Sequence, residues 1–218
     1  MQYLALFLTL VSGIAWTVVY ISCIRTGFKQ KTYCMPLFAL GLNFAWELIY
    51  SLDEVAGIIE NPGMFSVQTI VNVIWACLDA VIVYTYFKYG KESFPENAKK
   101  HFLSFSILAF ATCVVLQLAY YFEFRGITAA QYSAFVQNAA MSILFLIMLY
   151  RRGSTKGQTM TIAVAKWLGT LAPTILMGVL SGFNIYIVLT GLVCSVFDII
   201  YIVSLSRFKR LETAQQKA

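Results

Sequence analysis

Charged residues are scarce in this sequence of 218 residues. They make up 12% of it, whereas 60% of the residues are apolar and the mean hydropathy is +0.74. A soluble domain carries about twice that share of charge, because its surface must face water. The composition therefore excludes a soluble enzyme, a disordered chain and a secreted module held by disulfides. Only helices and closed barrels satisfy their backbone groups in lipid, and the long apolar runs do not alternate, so we predict an all-α, polytopic membrane bundle.

Sequence motifs for metals and nucleotides are also missing. The five cysteines occur singly and there is one histidine, so no CxxC or Cys/His metal-ligand spacing exists. DDxxD, NDxxD and HExxH motifs are absent, as is a glycine-rich nucleotide loop after a strand. We therefore expect no metal and no other cofactor, and metal-assisted prenyl transfer is disfavoured.

Seven apolar runs, each bounded by charged or turn residues, predict seven transmembrane helices. Because they fill nearly the whole chain, we expect residues 1–218 to form a single transmembrane domain, with any activity in the membrane or at its face. The first run is not expected to be a cleaved signal, since it lacks a basic start and is too long. The predicted spans are residues 2–24, 33–52, 68–88, 101–122, 128–150, 159–180 and 184–206.

Basic residues mark one side of the predicted bundle. The connections after the first, third and fifth spans, together with the tail, hold 14 of the 16 basic residues. The other connections hold only Arg125, and Lys166 lies within a span. The positive-inside rule then places the N-terminus outside and the C-terminus in the cytosol, in a bacterial inner membrane or the endoplasmic reticulum. Topology and contact with lipid thus explain the net charge of +6 without a nucleic-acid partner.

Four ionisable residues suggest a weak internal repeat. Glu47 and Asp79 are 32 residues apart, as are Lys166 and Asp198, and the two pairs are offset by 119 residues. This spacing favours three helices, a linking helix and three more helices in parallel orientation, an arrangement that places a site between the halves. The pattern rests on few positions, and chance is the alternative.

The same four side chains lie deep in predicted spans, where ionisable groups are expensive and usually face an interior cavity. Asn43, Glu47 and Tyr50 share one helix face, and Trp46 flanks it. In the predicted orientation Glu47 lies six residues from the outer end of its span, which is about 9 Å. Removal from water favours the neutral carboxylic acid, the form that donates a proton. A purely structural carboxyl is the alternative.

The other intramembrane acids also have aromatic neighbours in helical register. Trp75 shares a face with Asp79, and Tyr201 shares a face with Asp198. Lys166 is expected to form an ion pair with Asp79 or Asp198, because buried charges need partners, and a Schiff-base lysine is the alternative. The chemistry that these residues favour is proton transfer inside an apolar, aromatic cavity.

An NxxWE sequence in the second span (Asn43, Trp46, Glu47) and an aspartate in the last span (Asp198) carry a family resemblance. With seven predicted spans, the chain resembles the integral-membrane terpene cyclases of fungal meroterpenoid and indole-diterpene pathways and their bacterial prenyl-indole relatives. The resemblance implies protonation of a terminal epoxide or alkene on a prenylated aromatic or indole substrate, followed by carbocation cyclisation without a metal. By motif position it implies two acids, Glu47 and Asp198, and it assigns no role to Asp79 or Lys166.

These considerations give a complete candidate site. We expect aromatic ring faces to stabilise a carbocation and a water-poor pocket to protect it, with a lipophilic prenylated substrate, epoxidised or not, arriving through the membrane lipid. The segment DEVAGIIENPGMF is expected to be an outer connection, either a cap over the cavity or a plain surface loop. The expected catalytic residues are Glu47, Asp198 and Asp79, and the expected substrate-binding residues are Asn43, Trp46, Tyr50, Trp75 and Tyr201.

Two other functions fit parts of the pattern. A small-solute transporter with three plus one plus three helices would suit the repeat and the mid-membrane acids. Such transporters often carry a proline–glutamine pair, whereas the four prolines here are followed by Leu, Gly, Glu and Thr. A non-catalytic membrane assembly is the other alternative, but it would not need three buried acids.

Overall fold

The computed structural model describes residues 1–61, 63, 66–124 and 126–216, and these residues fold into seven long helices without a β-strand. The predicted all-α class is therefore confirmed. Arg125 and Lys217, which contribute to the predicted charge asymmetry, lie outside the described residues. The helices are α1 (Gln2–Gln30), α2 (Leu37–Glu60), α3 (Val67–Tyr89), α4 (Phe102–Phe124), α5 (Gly126–Arg152), α6 (Met160–Ile175) and α7 (Ile185–Gln215).

Six helices among the described residues, all except α2, are long and apolar enough to cross a membrane. Large apolar side chains such as Leu10, Ile14 and Leu189 are exposed on them, as expected of a surface that faces lipid. The chain is therefore a multi-pass membrane protein. Helix α2 differs because Asp53, Glu54 and other acids interrupt the apolar run of its second half.

Local sequence signals account for most of the helix boundaries. The side chains of Ser66, Thr159 and Asn184 accept hydrogen bonds from backbone N–H groups three residues later, at the starts of α3, α6 and α7. Pro173 lies inside α6, where it has no N–H to donate to the helical ladder. The chain then widens into a π-helical turn, Leu176–Leu180, before the connection to α7.

Helix α2 continues two turns beyond its predicted end at residue 52. Residues 53–60 are helical, so the prediction of a connection there is wrong, while Pro62, Met64 and Phe65 of that segment lie outside the described residues. Asn72 Nδ2 of α3 donates a hydrogen bond of 2.8 Å to Glu54 Oε1 and holds the extension in place. Glu47 therefore lies 13 residues from the end of α2, which is about 20 Å along its axis. It is near the middle of the helix and not about 9 Å from its end.

Every helix of the bundle packs against at least two others. Helix α3 packs against α1 and α2, and in the same way α7 packs against α5 and α6. In addition, α1 contacts α6 and α2 contacts α5, while α4 contacts α2 and α5. One continuous buried cluster includes residues of all seven helices, among them Trp16, Ile82 and Tyr201. Polar residues inside this bundle are thus held by packing from several helices at once.

Small residues allow close approach of α1 and α6, as is common between membrane helices. A Cβ added at Gly169 of α6 would lie 2.9 Å from Trp16 Nε1 of α1. Ser12 Oγ of α1 also donates a hydrogen bond of 2.8 Å to the Gly169 carbonyl oxygen. By contrast, a Cβ added at Gly13 would meet no atom within 4 Å.

We predict that Gly169→Ala destabilises the bundle relative to Gly13→Ala by about 1–3 kcal/mol, because the added methyl group overlaps the Trp16 ring. Both changes replace a helical glycine by alanine and bring the same gain in helix propensity. The difference in stability between the two variants therefore measures the overlap of the new methyl group with the Trp16 ring. Thermal unfolding of the purified variants in detergent measures it. Equal unfolding midpoints for the two variants would show that α1 and α6 are not so closely packed.

Candidate active site

Two clusters of buried polar side chains occupy the interior of the bundle, and all their members are at most 4% exposed. The first, the acid network, draws one or two residues from each of α1 to α5. The second, the ion-pair cluster, consists of Ser142 on α5, Lys166 on α6 and Asp198 on α7. The acid network consists of Tyr20, Asn43, Glu47, Asp79, Gln117 and Gln137.

Asn43 is the centre of the acid network. Its Nδ2 atom donates hydrogen bonds to Asp79 Oδ2 at 2.6 Å and to the Tyr20 hydroxyl oxygen at 2.8 Å. The Tyr20 hydroxyl in turn donates to Glu47 Oε1 at 3.0 Å. One amide and one phenol therefore connect the two carboxyl groups and tie α1, α2 and α3 together.

Two glutamines fix the orientation of Asn43 from the other side. Gln137 Nε2 of α5 donates to Asn43 Oδ1 at 3.4 Å. Gln117 Nε2 of α4 donates to Gln137 Oε1 at 2.6 Å and to the Leu42 carbonyl oxygen at 3.3 Å. Because its oxygen faces Gln137, Asn43 presents both amide hydrogens to the acid side of the network.

The carboxyl groups of the acid network lack compensating charge. Among the described residues, neither Glu47 nor Asp79 forms an ion pair. An isolated buried carboxylate is strongly disfavoured, so this environment favours the neutral acid. Within the described part of the chain, Glu47 Oε2 and Asp79 Oδ1 have no hydrogen-bond partner.

Aromatic rings flank the acid network on one side. The Tyr20 ring lies between Trp16 and Trp75, with centroid distances of 6.1 and 5.9 Å. Trp75 Nε1 donates to Thr17 Oγ1 at 3.0 Å, which fixes the plane of the indole. Trp75 therefore lies next to the acid network, through its contact with Tyr20.

Two other predicted aromatic residues of α2 face α5. Trp46 Nε1 donates to the Ala130 carbonyl oxygen at 3.0 Å, and the Tyr50 hydroxyl lies 3.4 Å from Ser133 Oγ. Their ring centroids are 4.9 Å apart. These two rings thus form a pair along α2 that is held in place by hydrogen bonds to α5.

The ion-pair cluster has the opposite electrostatics. Lys166 Nζ lies 2.5 Å from Asp198 Oδ1 and donates to Ser142 Oγ at 2.7 Å. Of the two predicted partners, Lys166 therefore pairs with Asp198. The Phe145 ring contacts both this lysine and Tyr201, with 5.8 Å between Nζ and the Phe145 centroid and 5.6 Å between the two ring centroids. A protonated, paired amine has no lone pair for a Schiff base.

The structure brings only some of the predicted site residues together. Asn43, Glu47 and Asp79 meet in the acid network and Trp75 adjoins it. Asp198 belongs to the ion-pair cluster, and the Tyr201 ring lies beside Phe145. Sequence reasoning missed Tyr20, Gln117, Gln137 and Ser142. The two glutamines had a detectable signal, because polar amides within apolar spans usually form hydrogen bonds between helices.

A cavity of about 280 Å³ opens at the end of the bundle where basic residues are concentrated. Its lining includes Tyr33, Tyr86, Phe94 and the arginine pair Arg151 and Arg152. Arg152 is already engaged, because its Nη2 atom donates to the Tyr33 carbonyl oxygen at 3.0 Å. Its described lining contains no member of the acid network.

The fold and the two clusters define a helical, multi-pass membrane protein with uncompensated acids in its core. The chain belongs to the family described as Pyr4-like transmembrane terpene cyclases, which matches residues 1–211. The family resemblance inferred from the NxxWE sequence and the last-span aspartate is thereby confirmed.

Individual relatives are also terpene cyclases by name. The chain is 30% identical over 175 residues to terpene cyclase ascF of Acremonium egyptiacum, covering 73% of this chain and 61% of that protein. It is 29% identical over 168 residues to terpene cyclase andB of Emericella variicolor, covering 76% and 68%. Identity to terpene cyclase pyr4 of Aspergillus fumigatus is 26% over 223 residues, covering 95% and 88%. No solved structure is significantly similar to the chain.

We predict that Tyr20→Phe lowers turnover of a prenylated substrate about tenfold, because Glu47 loses the hydrogen bond that orients it. Tyr3→Phe is the matched control, since Tyr3 is on the same helix and 89% exposed. Product formation per molecule of folded enzyme measures the effect. Full turnover by Tyr20→Phe would show that the phenol does not position the acid.

Proposed function

We propose that this protein is a terpene cyclase that protonates a terminal epoxide or alkene of a lipophilic, prenylated aromatic or indole substrate. The resulting carbocation closes rings without a metal. The observation that carries the proposal is the acid network, where two carboxyl groups share hydrogen bonds and neither has a cationic partner among the described residues. The names of the family and its relatives favour this reaction over solute transport.

Glu47 is the proposed general acid. Tyr20 donates to its Oε1 atom, so that oxygen serves as the acceptor and the proton resides on Oε2. Transfer of that proton to an epoxide oxygen or an alkene carbon leaves a carbocation on the substrate. General acid catalysis of this kind requires an acid that remains protonated until the substrate arrives, which burial provides.

Asp79 and Asn43 support that proton transfer. Once Glu47 is ionised, the Tyr20 hydroxyl bonded to it stabilises the new carboxylate, and Asn43 in turn donates to Tyr20. Asp79 accepts the second hydrogen of the same amide. It therefore sets the orientation of Asn43 and is a second proton source in the same network.

Aromatic rings stabilise the carbocation in this proposal. Trp75 and Tyr20 lie beside the acid, and Trp46 with Tyr50 line the face of α2 directed to α5. The faces of such rings attract cations, and burial excludes the water that would quench the cation early. Asp198 acts on the same cation from the ion-pair cluster, and the ring of Tyr201 is a further aromatic contact.

We also propose that α2 is a seventh transmembrane helix, that the N-terminus faces outward and that residues 1–218 form one domain. Helix α2 packs among α3, α4 and α5, which supports a position within the bundle. Lys29, Lys88 and Arg152 lie in the last turns of α1, α3 and α5, so these three helices end at one basic face. The matching contacts of α1–α3 and α5–α7 support the parallel repeat.

We predict that Glu47→Gln lowers cyclisation at least about 100-fold, because the amide retains the shape of the side chain but has no acidic proton. Glu60→Gln is the matched control, since Glu60 is an exposed acid at the end of the same helix. Membranes that contain each variant are incubated with prenylated and epoxyprenylated indoles and phenols, and the products are analysed by mass and ring structure. Normal turnover by Glu47→Gln would remove the proposed proton donor.

We predict that excess chelator leaves turnover unchanged, because a carboxylic acid starts the reaction without a Lewis acid. The measurement compares initial rates in EDTA with rates in added magnesium. A loss of activity that magnesium restores would contradict the mechanism.

A further inference from the structure

The two buried clusters differ in where their charge is balanced. Glu47 and Asp79 have polar, uncharged partners, whereas Asp198 lies 2.5 Å from the ammonium of Lys166. Both Lys166 and Asp198 are 0% exposed, so each ion relies on the other for compensation. Two carboxyl groups in such different surroundings are suited to opposite roles in proton transfer.

We propose that Lys166 holds Asp198 as a carboxylate and that Asp198 accepts the final proton from the substrate carbocation. This inference rests on the proposed cyclase function and divides its acid–base work between the two clusters. Glu47 carries the proton that starts the reaction, and Asp198 receives the proton that ends it. Lys166 does not touch the substrate and is a positioning residue.

The geometry of Asp198 leaves one oxygen available for this role. Oδ1 is occupied by Lys166, while Oδ2 has no hydrogen-bond partner within the described part of the chain. Ser142 Oγ accepts a second hydrogen bond from Lys166, which fixes the ammonium and therefore the carboxylate. The cluster lies against aromatic rings, because Phe145 contacts Lys166 and packs against Tyr201.

The two clusters lie at neighbouring levels of the same bundle. Gln137 of the acid network and Ser142 of the ion-pair cluster are five residues apart on α5, which corresponds to about 8 Å along the helix axis. Tyr20 and Tyr201, one from each side, belong to the same continuous buried cluster. A prenyl chain that reaches Glu47 at one end thus extends toward Asp198 as its rings close.

The proposed last step balances without another reactant. A C–H bond next to the cationic carbon breaks, its electron pair becomes the new C=C bond, and the proton moves to Asp198 Oδ2. Asp198 then releases this proton to solvent and Glu47 takes one up, so the product has the same composition as the substrate. Deprotonation of a carbocation is strongly favourable, so the step does not require a strong base.

The double variant Lys166→Met with Asp198→Asn tests this division of labour, because it removes both charges and leaves no buried ion unpaired. We expect it to remain folded and to consume substrate within about tenfold of the unmodified enzyme, since Glu47 is intact. The share of the normal product should fall at least about tenfold, with alkene isomers or water-trapped alcohols in its place. The single variant Lys166→Arg keeps the positive charge beside Asp198 and should therefore give the normal product.

The variant Asp198→Glu keeps the ion pair and moves the carboxylate by one methylene group, so it provides a second test in a folded protein. We expect a shifted ratio of alkene isomers among the products. A normal product ratio in both the double variant and Asp198→Glu would overturn the proposal and leave the pair a structural role. Loss of consumption in the folded double variant, as complete as in Glu47→Gln, would also overturn it by assigning Asp198 to initiation.

These outcomes are distinct from failure of the proposed function. If Glu47→Gln still consumed substrate, the cyclase mechanism would fail at its first step, whatever the ion pair does. If Glu47→Gln blocked consumption but the ion-pair variants gave normal products, only the role of Asp198 and Lys166 would fail. Substrate consumption therefore reports on the acid network, and the product ratio reports on the ion-pair cluster.

Discussion

The side-chain amide of Asn43 gives one hydrogen to Asp79 and the other to Tyr20, and Tyr20 passes a hydrogen bond on to Glu47. In an apolar interior, a polar group without a partner costs more than the bond itself contributes, so these groups constrain one another. Loss of the amide would leave a phenol and a carboxyl without their shared partner. The relative positions of α1, α2 and α3 at mid-bundle therefore depend on this one side chain.

The two halves of the bundle solve the problem of buried acids in different ways. Under the proposed repeat, Asp198 occupies the position of Asp79, and Lys166 occupies the position of Glu47. Where this position holds Glu47, both members of the pair are acids, and burial favours their protonated, hydrogen-bonded forms. Where it holds Lys166, the pair is a lysine and an aspartate whose charges balance. In the proposed mechanism, this one difference between the two positions gives a proton donor in one half and an anion in the other.

The sequence was sufficient to predict the membrane class, the all-helical fold, the buried acids and the family. The predicted end of the second span was wrong, because hydropathy marks where a chain becomes polar and not where its helical hydrogen bonds stop. Asp53 and Glu54 end the apolar run, yet the helix continues and Asn72 binds Glu54 from α3. Tyr20 was missed for a related reason: a tyrosine in an apolar span resembles ordinary core, and only the structure shows where its hydroxyl points.

Under the proposed function, the apolar core explains both why charged residues are few and why the buried acids can transfer protons. A bilayer-spanning core accepts a carboxyl group as a neutral acid or as half of an ion pair, and in the proposed mechanism those two forms are the general acid and the general base of the cyclisation. Water would solvate both carboxyl groups and make their environments alike. The same apolar packing that holds the helices together keeps it out. Such a core needs only polar neighbours for one acid, as at Glu47, and a lysine for another, as at Asp198.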